Sequence, residues 1–312
     1  MTRVEIRRPP ALRRGDRVAV VAPASPFSRD ELDAGVAELA RLGFEPVVDE
    51  RVFARERYVS GSAALRANHL SEVWRDPSIR AVMCVRGGYG SVQLLPRLDL
   101  AAFRQQPKIF IGYSDVTSLL SWLTHSAGTV TFHGPMLAGR LSHGPARYDE
   151  RSFLAAVMSD EPLGRLAPES LEVMRGGEAS GILAGGTLTQ LVASLGTPFA
   201  FDPPPGHVLF LDEVNERPYR LDRMLVQLQL SGVVARASAI VFNELPNCDE
   251  PDGGVRAIDA IGDVLRDFTG PILTGFPSGH TPGATITLPF GVRAMVTTAG
   301  RPALVIEESA VV

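Results

Sequence analysis

The sequence predicts an α/β protein whose first half holds a parallel sheet and whose second half is richer in β-structure. Three observations carry this. Short apolar runs alternate with segments of helical periodicity through the first half of the chain. Such βαβ order implies parallel strands covered on both faces. A Pro/Gly-rich, polar stretch from Gly139 to Gly181 then breaks the alternation. Finally, the tail ATITLPFGVRAMVTTAGRPALVIEE alternates apolar and polar residues around turn signals, the pattern of antiparallel strands.

The elements follow in order. DRVAVVAPASP is a buried strand stopped by Pro23 and Pro26. RDELDAGVAELARLG is a helix closed by Gly43, a residue suited to the left-handed position after a helix. FEPVVD is a short strand, and helical periodicity returns from Ser62 to Asp76. IRAVMCVRGGYG is a strand entering a glycine loop, SVQLLPRLD a short helix, and KIFIGYS a further strand that runs directly into a helix. Within the polar stretch one helix is expected, from Asp149 to Met158, and the domain junction is placed there. GILAGGTLTQLVASLGTP reads as a second glycine-rich loop opening a helix. GHVLFLDEV, ASAIVFNEL and GPILTGFP are strands. RPYRLDRMLVQLQLSG is a helix with Pro218 in its first turn and Gly232 past its end, and a further helix spans Val255 to Phe268.

Composition narrows the function. The 312 residues are 45% hydrophobic and 21% charged, with a formal net charge of −4. That balance gives no electrostatic case for a nucleic-acid partner. Lys108 is the only lysine. Cys84 and Cys248 are far apart and match no metal-ligand spacing, so no metal is expected. No apolar run is long enough for a membrane span, and the basic N-terminus lacks the apolar core of a secretory signal. A cytoplasmic protein is the expectation.

The chemistry-bearing candidates lie at strand ends. In IGYSDVTSLL, a strand–Ser–helix turn holds Ser114 at the sheet edge, with the N–H of Asp115 at the helix start behind it. That pairs a nucleophile with one oxyanion donor, although the second glycine of G-x-S-x-G is missing and a plain helix cap is the competing reading. Among six histidines, His133 in TFHGPM and His280 in FPSGHTPG occupy loop positions suited to a general base. Asp212 and Glu213 end a strand; period-2 geometry lets only one of them face a given site. In VRGGYG, Gly87 and Gly88 permit close backbone approach and a second oxyanion N–H, and Arg86 can pair with a substrate carboxylate. The loop matches neither phosphate-binding glycine fingerprint.

Taken in order, VAPASP, VRGGYG, IGYSDVTSLL, FHGPM, AGGTLTQLVASLGTP, FLDEVNERPYRLDRML and TGFPSGHTPGATITLPFG resemble the LD-carboxypeptidase family of serine peptidases. The family includes murein tetrapeptide carboxypeptidases and microcin C self-immunity peptidases. The resemblance implies an N-terminal flavodoxin-like domain (1–165) carrying the nucleophile and a C-terminal β-rich domain (178–312) carrying the acid and histidine, usually in a homodimer. It implies Ser114 as nucleophile, His280 as base, Asp212 as acid, and the N–H groups of Gly88 and Asp115 as oxyanion donors. It requires no cofactor, and the substrate it implies is a small muropeptide losing a C-terminal D-amino acid. The alternatives are a peptidyl- or aminoacyl-nucleotide amide as substrate, or a noncatalytic ligand-binding module. Two departures stand out. Relatives most often carry Glu where this chain has Asp212, which reaches roughly 1.5 Å less, so Glu213 is kept as an alternative acid. Relatives often carry Asn where this chain has Thr187.

Overall fold

The computed structural model describes residues 4–312. Two sheets form the body. The first is built from β1 (Arg17–Val21), β2 (Glu45–Val48), β3 (Ile79–Cys84), β4 (Ile109–Gly112) and β5 (Thr131–His133), all parallel. Helices α1 (Arg29–Arg41), α2 (Ala63–Arg75), α3 (Leu100–Gln105) and α4 (Thr117–Trp122) are its crossovers. Ser28 and Ser62 are the N-caps of α1 and α2, and each accepts from the third residue beyond it, which satisfies a donor the helix start leaves free. Helix α5 (Glu150–Met158) follows, N-capped by Asp149.

The second sheet contains β6 (Gly164–Leu166), β7 (Glu172–Arg175), β8 (Glu178–Thr187), β9 (His207–Asp212), β10 (Ala237–Asn243) and β11 (Ile272–Phe276). Helices α6 (Leu188–Ser194), α7 (Pro218–Leu230) and α8 (Ala257–Val264) connect them. β12 (Leu288–Phe290) leaves this half and pairs antiparallel with β5, closing the first sheet in the order β12-β5-β4-β3-β1-β2. β13 (Arg293–Thr297) and β14 (Ala303–Ile306) complete the second, ordered β6-β14-β13-β8-β9-β10-β11-β7. Its centre, β8 to β11, is parallel and its flanks are antiparallel.

One expectation is corrected. GILAGG is not a loop but the end of the longest strand, β8. The glycines are there because β9 and α4 come too close for side chains. A Cβ on Gly181 would lie 1.8 Å from the Gly206 carbonyl oxygen, and one on Gly185 1.9 Å from that of Phe210. A Cβ on Gly186 would meet the Thr117 side chain at 2.5 Å, so this glycine does pack the two halves together. The stretch expected to be irregular also supplies the edge strands β6 and β7.

The core follows the strand period. On β9, Val208 and Phe210 join an apolar cluster shared with the first sheet, while Leu209 and Leu211 face the α6–α7–α8 layer. Asp212, two residues past Phe210, therefore faces the first sheet, and Glu213 the helices.

Candidate active site

Ser114 sits where β4 becomes a helix. Its φ of +65° is left-handed, a strained position for a residue with a Cβ. The turn is held because Val116 N–H donates to the Tyr113 carbonyl and the helix continues into α4. Gly87 backs the turn: a Cβ there would lie 2.7 Å from Ser114 Cβ and 3.4 Å from the Asp115 nitrogen. Gly88, at φ +100°, lies against Ser25, whose hydroxyl a Cβ would meet at 2.4 Å. No other residue lets this loop run so close to the serine.

The Asp115 carboxylate does something its sequence position did not reveal. It is buried and accepts from the N–H groups of Gly90 (3.2 Å) and Ser91 (2.8 Å), while its carbonyl accepts from the Ser91 hydroxyl (2.5 Å). The glycine loop is thereby tied to the serine turn. Buried Arg66 holds the same loop from behind through the carbonyls of Gly90, Gly61 and Pro23. Arg86 is exposed at the rim, with one guanidinium nitrogen donating to the Pro26 carbonyl at 3.1 Å.

From the second sheet, the loop after β11 carries His280 to the serine. Its Nε2 lies 3.1 Å from Ser114 Oγ and its Nδ1 2.8 Å from Asp212 Oδ2. The chain Ser114–His280–Asp212 is continuous. Asp212 is fully buried and accepts four hydrogen bonds: from His280 N–H (2.9 Å) and Asn243 Nδ2 (2.7 Å) at Oδ1, and from His280 Nδ1 and the Thr187 hydroxyl (2.9 Å) at Oδ2. Burial alone would raise its carboxyl. The charge of His280, with the contacts from His133 and His280, overcomes this and holds it well below the usual carboxylate range. Burial likewise pulls the His280 imidazole down, but Asp212 outweighs it and the net shift is upward.

Glu213, the alternative acid, faces away. Its carboxylate accepts from Thr189 N–H (2.9 Å), Thr189 Oγ1 (2.6 Å) and Val214 N–H (3.1 Å), at the start of α6. The strand period turns the two carboxylates to opposite faces, and the shorter one, bonded by Thr187 and Asn243, is the one that meets His280.

Two residues of the site had no signal in the sequence. Asn243, the last residue of β10, also donates to the His280 carbonyl (2.7 Å), and its own oxygen accepts from Glu213 N–H and Leu245 N–H. Arg140 comes from the supposed linker. It is buried, and donates to the carbonyls of Gly279 (2.7 Å), Thr281 (3.0 Å) and Gly283 (3.0 Å), so it cradles the loop on both sides of His280. His133, the other candidate base, is directed at Asp212, its Nε2 3.7 Å from Oδ2, while the imidazole bonded to Ser114 is that of His280. A cleft of about 360 Å³ opens beside the site, lined by Tyr89, Thr117 and Ser118 from one half and by Gln190, Leu191 and Phe199 from the other. Among the described residues no cluster of side chains suits a metal ion.

Residues 18–134 match the LD-carboxypeptidase N-terminal domain and residues 180–296 the LD-carboxypeptidase C-terminal domain. The probable murein peptide carboxypeptidase of Bacillus subtilis is 34% identical over 96% of this chain and 94% of its own length. The murein tetrapeptide carboxypeptidase of Pseudomonas aeruginosa is 34% identical over 85% of this chain and 88% of its own. Among solved structures, the microcin C7 self-immunity protein in complex with aspartyl sulfamoyl adenosine superimposes with a TM-score of 0.90 at 25% identity, covering 98% of this chain and all of that one.

Proposed function

The chain belongs to the LD-carboxypeptidase family of serine-type hydrolases, and from that premise we propose that it removes the C-terminal D-amino acid from murein tetrapeptides. The observation that carries the reading is the unbroken Ser114–His280–Asp212 chain. Ser114 Oγ attacks the carbonyl of the L-centre as His280 Nε2 takes its proton. The N–H groups of Asp115 and Gly88 receive the oxyanion, on a loop that the Asp115 carboxylate has already fixed. The tetrahedral intermediate collapses, His280 gives the proton to the leaving amine, and D-alanine departs. Water, deprotonated by the same imidazole, then hydrolyses the ester. Asp212 keeps the Nδ1–H tautomer and stabilises the imidazolium. Arg86, exposed at the rim, meets the substrate carboxylate.

The same proposal assigns the nucleophile to residues 1–165 and the acid and base to residues 178–312, working as a homodimer in the cytoplasm. No helix among the described residues is long and apolar enough to cross a membrane. Light scattering of the purified protein tests the dimer.

A second substrate reading has one observation in its favour. Tyr58 and Tyr89 are exposed and 5.6 Å apart beside the glycine loop, an aromatic surface on which a nucleobase can stack. Side-by-side turnover of a murein tetrapeptide and an aminoacyl sulfamoyl adenylate decides between the two. Preferred release of D-alanine supports the first. Undiminished release by Ser114→Ala refutes the nucleophile, and absence of labelling by a fluorophosphonate probe revives a noncatalytic role.

A further inference from the structure

His133 ends β5 with no exposed surface, packed between the rings of Phe210, Phe290 and Tyr113 at centroid distances of 5.2, 5.4 and 5.9 Å. The proposed reaction does not use it. Its hydrogen bonds nevertheless fix where its protons are. The Ser278 hydroxyl lies 2.7 Å from the Ile286 carbonyl, which can only accept, so the single hydroxyl proton points there. Ser278 Oγ is then the acceptor toward His133 Nδ1 at 3.1 Å, and Nδ1 carries a hydrogen.

That leaves Nε2. It is buried, has no hydrogen-bond partner, and faces Asp212 Oδ2 at 3.7 Å. In a neutral ring with hydrogen on Nδ1, Nε2 is a bare lone pair aimed at a carboxylate oxygen 3.7 Å away, too close for a water molecule to fit between. Two acceptors facing each other in a dry interior repel; a proton on Nε2 turns the contact into an attraction. Gly279 lets the two groups come this close, since a Cβ on it would lie 2.6 Å from His133 Cε1 and 2.7 Å from Asp212 Cγ. His280, in the loop after β11, meets the same Asp212 oxygen as His133, and two titratable groups face His133 itself: Asp212 on β9 and Tyr113 after β4. The cation of Arg140 stands behind the last, hydrogen-bonded to its hydroxyl at 3.3 Å. Asp212 is the only anion among them.

We propose that His133 carries a proton on each ring nitrogen and forms a buried ion pair with Asp212, so that one carboxylate is shared between two imidazoles. His133 is then a positioning residue that acts through Asp212. It gives the carboxylate a second counter-charge and tempers the pull of Asp212 on the His280 proton, which keeps His280 free to act as a base at neutral pH. The inference rests on the reading of Ser114–His280–Asp212 as the catalytic chain, but its first test does not depend on activity.

The wild-type protein is labelled with 15N-histidine and its ring nitrogens are recorded across neutral pH. His133 is assigned by its proximity to the Phe210 and Phe290 rings. Both nitrogens protonated is the expected result; one bare nitrogen at neutral pH overturns the proposal whatever the enzyme hydrolyses. The kinetic test uses His133→Phe and His133→Gln. With the cation gone, Asp212 acts on His280 alone, and the acid limb of kcat/KM moves upward by about one pH unit in both variants. A limb that stays in place in both means that His133 only fills space. A limb restored by His133→Gln means that a neutral donor suffices, which refutes the charge.

Discussion

Thr187 and Asp212 stand where the resemblance leads one to expect Asn and Glu, and in the structure they touch. They are register partners on adjacent parallel strands, β8 and β9, and the Thr187 hydroxyl donates to Asp212 Oδ2 at 2.9 Å. Both side chains project the same way from neighbouring strands. Exchanging Asp for Glu moves the carboxylate outward by one bond, roughly 1.5 Å. Exchanging Thr for Asn moves the donor outward by one bond as well. Short donor with short acceptor, or long with long, keeps the hydrogen bond; a mixed pair breaks it. Asp212→Glu alone pushes the carboxylate into His280 within a fully buried site, and a displacement of about 1 Å costs on the order of 100-fold in kcat/KM. Thr187→Asn alone loses a hydrogen bond to a charged group, about 1.5–3 kcal/mol, or roughly 10- to 100-fold if it falls wholly on the transition state. The double variant is expected to recover about 1.5–3 kcal/mol of the summed loss, within the range measured for contacting pairs. The assay is kcat/KM for D-alanine release in all four proteins. Additivity within about 0.5 kcal/mol would falsify the coupling.

Three other outcomes are expected. The acid limb of the kcat/KM profile lies above the ordinary histidine value, because Asp212 raises His280 against burial, and activity is lost as pH falls through it; in Asp212→Asn the same limb moves down, since burial and the Arg140 charge are then opposed by the Glu213 charge alone, and an unmoved limb contradicts the assignment. Arg140→Ala frees the His280 loop from three carbonyl contacts, lowering kcat about 100-fold with KM little changed, whereas a loss confined to KM points to a substrate contact instead. Lys108 donates from a buried site to the carbonyls of Val73 (3.2 Å), Asp76 and Ile79 (2.8 Å), and burial brings its ammonium down to about 8; Lys108→Met, which leaves these acceptors unmet, lowers urea-unfolding stability by about 1–3 kcal/mol, and no loss means that water replaces the amine.

What could be read beforehand follows from the range of each signal. β1, β3 and β4 are continuous apolar runs because both of their faces are covered, and such runs are visible locally. That Asp212 and Glu213 face opposite ways was visible for the same reason, while the resemblance rather than the period pointed to Asp212. β8 was not legible, because its glycines answer to the backbone at β9 and to the Thr117 side chain on α4, which no local pattern reports. Arg140 and Asn243 were missed because their partners are distant: Arg140 serves a loop 139 residues further on. The His133–Asp212 contact depends on β5 and β9 meeting across two sheets, so TFHGPM gave only a plausible base.

Ser114 and the histidine it needs are 166 residues apart in the chain. On a ribosome adding ~5–20 residues per second, the serine turn is made roughly eight to thirty seconds before His280 exists. β12, which pairs with β5, comes later still. Until then the emerging polypeptide has Ser114 without the imidazole that it faces in the folded protein. Competence for the proposed hydrolysis therefore waits on the second half of the chain, when the later-made sheet brings His280 to the early-made serine.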